Sequence, residues 1–159
     1  MCGLSGLFPE LFPGAAGVTD AALPVANRDE AIAALTPYLD QHPDDAGLLN
    51  NKGLALRGLK QSEEAYKALR RASRLDGEDP LILTNLGQVL VDLGQPGEAR
   101  PLHEKALQAM PNDARLLANY GACLAALGEK DKARETLDAA LAADPGNAEA
   151  LDARVKLDT

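Results

Sequence analysis

The feature that most constrains this chain is a repeat of 34 residues. Gly53, Gly87 and Gly121 stand 34 apart. Ala65, Ala99 and Ala133 follow each glycine by 12 residues, and Ala72, Ala106 and Ala140 follow by 19. Pro111 and Pro145 close the last two intervals, and Gly77 takes the same place in the first. A period of this length marks a supersecondary unit that cannot bury its apolar face alone and must stack on copies of itself. Three full units follow: 46–79, 80–113 and 114–147. Ala31 and Pro43 lie one interval before Ala65 and Gly77, so 28–45 reads as an incomplete unit holding a second helix only. Residues 148–159 start a further first helix that caps the array, and residues 1–27 stand outside the repeat.

The units read as helices. Leu116, Leu117, Tyr120, Leu124 and Leu127 recur at helical spacing. Asp45, Asp79, Asp113 and Asn147, again 34 apart, precede the first helices, where a short oxygen-bearing side chain accepts free N–H groups of the first turn. Pro80 suits the first helical position because its missing donor has no partner there in any case. Gly58, Gly94 and Gly128 are expected to end the first helices with a positive φ. Each unit is thus a helix–turn–helix with about 13 residues per helix, roughly 20 Å long. The glycines at 53, 87 and 121 let paired helices touch. Aromatic residues make up 3% of the chain and Trp is absent, poor material for a large aromatic pocket.

The pattern resembles the tetratricopeptide repeat (TPR) family. Leu86-Gly87 matches the family's Leu-Gly pair, Tyr120-Gly121 and Lys52-Gly53 keep the glycine, and the small residues at 65/99/133 and 72/106/140 match. The family's aromatics are replaced, the first by Leu49, Leu83 and Leu117 and the second by Leu69, His103 and Leu137, which predicts modest stability. The resemblance implies an all-α fold, a TPR α-solenoid: a right-handed stack of antiparallel helix pairs, with three full repeats plus flanking half-repeats. It also implies a non-catalytic protein–protein interaction scaffold. In that family the first helices line a concave groove, so a partner peptide or helix is expected there.

The residues of the first helices carry the site expectation. Asn51, Asn85 and Asn119 each sit two residues before the repeat glycine. An amide offers two donors and an acceptor, which match a peptide backbone, and each such bond contributes about 1 kcal/mol net. The arrangement resembles the asparagine ladder of O-linked N-acetylglucosamine transferase TPR domains. The alternative, that these side chains cap or tie neighbouring helices, stays open. Flanking positions expected to tune specificity are Asn50, Leu54 and Arg57; Leu81, Thr84, Gln88 and Asp92; and Arg115, Ala118, Ala122 and Ala126. TPR proteins that clamp acidic C-terminal tails need Lys and Asn at set places. Asn85 matches one, but Asn50 and Leu54 stand where the family has Lys and Asn, and Ala118 adds no base. That mode is not implied.

Charge narrows the partners. The net charge is −8, with residues 1–45 at −6, 46–79 at +2 and the remainder at −4. An acidic chain without interleaved bases and aromatics is a poor match for nucleic acid. No run approaches 18 apolar residues, so no membrane span is expected, and the N-terminus lacks the basic start of a secretory signal. The expectation is a cytoplasmic protein with a polypeptide partner and with neither cofactor nor metal. Cys2 and Cys123 form no disulfide framework or metal motif. His42 and His103 lack metal-ligand spacing and read as structural. Lys67, Arg70, Arg71 and Arg74 form a basic stripe, read as a solvated face, a dock for the acidic 40–45 segment, or a partner site.

Leu4, Leu7, Phe8, Leu11 and Phe12 form an apolar N-terminal cluster, with three readings open: it caps residues 28–42, it occupies a groove of its own or of a neighbour, or it is disordered. Self-association through that extension or open repeat ends is a second functional class. An accessory or targeting subunit of an enzyme, or of a secretion or pilus complex, is a third. Met1-Cys2-Gly3 is similar to the start of class II glutamine amidotransferases, in which Cys2 would be an N-terminal nucleophile. The repeats leave no room for the domain that chemistry needs, so no catalytic residue is expected.

Overall fold

The structure, a computed structural model, describes residues 25–158, with side chains from residue 28. The readings made for Cys2 and for the apolar cluster from Leu4 to Phe12 lie outside the described residues. Among those described there are eight helices and no strand: α1 (Val25–Gln41), α2 (Ala46–Gly58), α3 (Ser62–Leu75), α4 (Pro80–Asp92), α5 (Pro96–Ala109), α6 (Ala114–Ala126), α7 (Lys130–Ala143) and α8 (Ala148–Asp158). The expected all-α class is therefore the observed one. The chain forms two compact units, one ending at Leu75 and one beginning at Asp76.

In the first unit α2 packs on both α1 and α3. The Asp45 carboxylate caps α2 by accepting from the Leu48 N–H at 2.8 Å, and α1 contributes the fully buried Leu35. Ala65, Leu69 and Ala72 on α3 are fully buried. Gly53 explains how the hairpin closes: a Cβ there would lie 2.4 Å from Leu69 Cγ. Arg71 on α3 meets Asp44 at 2.7 Å, so one base of the stripe does dock the acidic 40–45 segment. Lys67 pairs with Glu64 one turn back, and the Arg70 guanidinium lies 5.7 Å from the Tyr66 ring centroid.

The second unit repeats this plan. Asp79 accepts from Leu81 and Ile82, Asp113 from Leu116, and Asn147 from Ala150. With Asp45 these make four caps, all at the positions that the period assigned. Ala99, Ala106, Ala133 and Ala140 are fully buried. At the glycines, a Cβ on Gly121 would lie 2.6 Å from Leu137 Cγ, and one on Gly87 would lie 2.7 Å from the His103 ring. Helix α8 buries Ala150 and Leu157. Its Arg154 reaches Asp138 on α7 at 2.8 Å, and α7's Arg134 reaches back to Asp158 at 3.0 Å.

One helix terminator differs from expectation. Gly94 and Gly128 have positive φ (75° and 80°), but Gly58 does not; in the first repeat Lys60 takes that conformation, with φ 63°. Lys60 is the residue one interval before Gly94. Gly58 is instead the buried last residue of α2.

Candidate functional site

The first helices place the candidate residues as follows. On α2, Asn50, Asn51, Leu54 and Arg57 are half-buried. On α4, Leu81 and Asp92 are exposed, Gln88 is half-buried, and Asn85 is 8% exposed. On α6, Arg115 and Ala122 are half-buried and Asn119 is 3% exposed. Helices α4 and α6 pack on one another within the second unit. There the structure joins two of the candidates: the Gln88 side-chain amide donates to the Asn119 side-chain oxygen.

Thr84 is placed differently. It is 1% exposed, and its hydroxyl donates to the Pro80 carbonyl at 2.7 Å on its own helix. A hydroxyl that bonds four residues back along a helix has its donor satisfied. Thr84 therefore belongs to the core of the unit and offers no open contact.

The second unit also holds a polar clasp that the sequence did not announce. Arg100 on α5 donates to Glu104 at 2.8 Å and to Glu129, just before α7, at 2.6 Å. Tyr120 on α6 donates its hydroxyl to Glu104 at 2.9 Å, and Lys132 meets Glu129 at 2.6 Å. The hydrogen bond from Arg100, then that from Tyr120, holds the Glu104 carboxyl below its usual range. Glu129 is held low by Lys132 first and by Arg100 beyond it. This chain of contacts ties three helices together; the register could have suggested the Arg100–Glu104 pair, but not its partners on other helices.

Among the described residues the one cysteine is held in an unreactive setting. Cys123 is fully buried, its thiol donates to the Pro96 carbonyl at 3.3 Å, and burial pushes its pKa up to about 11. A thiol kept protonated is a poor nucleophile. Among the described residues no group of three His, Cys, Asp or Glu side chains could hold a metal ion. Among the same residues no helix is long and apolar enough to cross a membrane. His103 is fully buried beside Tyr120, with ring centroids 6.3 Å apart, and neither ring nitrogen has a hydrogen-bond partner.

Two family models described as tetratricopeptide repeat match the chain, one over residues 20–80 and the other over residues 90–157. No curated protein matches it in sequence. Among solved structures, MamA (residues 41 to the end) from Desulfovibrio magneticus RS-1 is similar with a TM-score of 0.70 and 22% identity, over 82% of this chain and 74% of that one. YrrB, described as a TPR protein with an unusual peptide-binding site, is 28% identical with a TM-score of 0.65, over 84% of this chain and 69% of that one. The first TPR of Spaghetti (RPAP3), solved with the HSP90 peptide SRMEEVD, is 21% identical with a TM-score of 0.64, over 71% of this chain and 90% of that one.

Proposed function

We propose that this chain, which belongs to the tetratricopeptide-repeat family, is a non-catalytic scaffold that holds a segment of another polypeptide on the first helices of its repeats. The observation that carries the reading is the set of first-helix residues left exposed or half-buried on α4 and α6, namely Leu81, Gln88, Arg115 and Ala122; the Gln88–Asn119 bond itself is the tie between helices that the alternative expects. Side-chain amides provide directed donors and acceptors, and Asn85 and Asn119 hold theirs in a partly dry setting. There a hydrogen bond to a peptide backbone gains more than it would in water. Leu81 and Ala122 supply apolar contact, while Arg115 and Asp92 supply charge of both signs. In the first unit α2 carries Asn50, Asn51, Leu54 and Arg57 at the matching positions. YrrB and RPAP3, whose structures are described with a peptide-binding site and a bound peptide, lend the family context.

The test begins with variants at the exposed Leu81 and the half-buried Ala122. Leu81→Glu and Ala122→Glu together should abolish capture of partner chains from the native host, with the far-ultraviolet circular dichroism and melting temperature unchanged. Asn85→Ala with Asn119→Ala should weaken capture as well. Undiminished capture by the folded Leu81→Glu/Ala122→Glu variant would overturn the proposal.

A second reading, self-association, is favoured by one observation. Leu151 and Val155, one turn apart on α8, are 47% and 65% exposed. Light scattering on the full chain decides it: a dimer that Val155→Glu converts to monomer supports it, and a monomeric wild type removes it.

A further inference from the structure

The middle repeat packs with a polar ring where the other two pack with leucine. His103 lies one interval after Leu69 and one before Leu137, and it fills the niche that Gly87 leaves open, as those leucines do at Gly53 and Gly121. The ring is 1% exposed, and neither Nδ1 nor Nε2 has a hydrogen-bond partner. A buried polar group without a partner is uncommon and asks for a reason.

The surroundings offer the ring no counter-charge. Helix α5 packs on α4 and α6. From α4 the contact is Gly87, and the helix's one titratable residue, Asp92, is its last. From α6 the contact is the Tyr120 ring, whose hydroxyl donates to Glu104; the other ionisable residues of α6 are Arg115 and Cys123. On α5 itself Glu104 is engaged by Arg100 and Tyr120, and Lys105 by Glu78. Glu98, in the first turn, completes the charged set of that helix. Glu129, at the start of α7, is engaged by Arg100 and Lys132.

We propose that His103 is an acid-sensitive latch: a proton on its ring drives it out of the Gly87 niche, loosens α4 and α6, and so releases whatever Asn85 and Asn119 hold. The release rests on the proposed function; the latch does not. A neutral imidazole fits the niche as a flat apolar filler. An imidazolium has two donors and a charge, and the niche supplies no acceptor, so the ring must reach water to be protonated. Burial accordingly lowers the folded pKa from 6.5 to about 4. The sign follows from that depression. Well above pH 6.5 both states are neutral and His103 is indifferent to pH. As pH falls toward 4 the opened state takes up a proton that the closed state refuses, and the closed state loses ground. Below the folded pKa the loss stops growing. At pH 5 the closed-to-open ratio is lowered about 20-fold relative to pH 7.

The experiment compares the full chain with H103L, which installs the neighbours' leucine. Urea unfolding at pH 7 and pH 5 should show the wild type losing about 20-fold more in its folding constant than H103L. The His103 ring resonance should stay in its neutral position until close to pH 4. Equal pH dependence in the two proteins, or a folded His103 that titrates near 6.5, would overturn the latch. Should H103L fail to fold, the ring titration in the wild type decides alone. Neither readout involves a partner, so failure of the binding proposal leaves both unaffected.

Discussion

The second and third repeats are built on the same backbone plan and differ in one seam. In 114–147 the Gly121 niche is filled by Leu137, an apolar side chain with no polar atom to satisfy. In 80–113 the Gly87 niche is filled by His103, which carries two unpartnered nitrogens into the same kind of space. Both rings and branches fit, so shape alone does not choose between them. The difference is that one seam is blind to pH and the other is not. A repeat array can thus keep its geometry while confining a polar, titratable joint to a single position.

The sharpest way to break this comparison is to give the third repeat the second's chemistry. Leu137→His should cost about 3 kcal/mol at neutral pH, from lost apolar burial and two newly buried polar atoms. It should also create a loss of stability between pH 6.5 and 4 that the parent seam lacks. Chemical denaturation across pH measures both, and an unchanged pH profile would show that the niche, and not the histidine, sets the behaviour. A smaller effect is expected at the helix turns. Gly94 and Gly128 take positive φ with glycine, whereas Lys60 takes it with a side chain. Gly94→Ala should therefore destabilise by about 1 kcal/mol and Lys60→Gly should stabilise by about 0.5–1 kcal/mol. Thermal unfolding of the two variants reads the opposite signs directly.

The turns also show what was legible beforehand. The period of 34 located every first-helix cap correctly because a cap depends on a residue and its three followers, all local. It located the buried alanines for the same reason: a residue in register inherits its face. The terminator of α2 went astray because Gly58 is a glycine near the right place, while the register pointed to Lys60, a residue that seldom takes positive φ. The candidate site was half legible. Asn85 and Asn119 stand where the repeat put them, but the Gln88–Asn119 bond joins residues 31 apart on different helices, and neither α2 nor α6 offers a glutamine in that register. Thr84 was read as a contact because its register is that of the groove; its hydroxyl bond to Pro80 belongs to the local helix and withdraws it. The Arg100–Glu104–Tyr120 clasp was hidden likewise, since it needs α5 and α6 side by side.

The same logic separates the face proposed to bind from the face that is solvated, and one measurement tests that separation most directly. A photo-crosslinking residue placed at Ala122, half-buried on the first helix α6, is compared with one at Ala139, exposed on the second helix α7. The account predicts that irradiation in the native host yields covalent adducts with a partner polypeptide at position 122 and little at position 139. Equal labelling at both positions, or labelling at 139 alone, would contradict it.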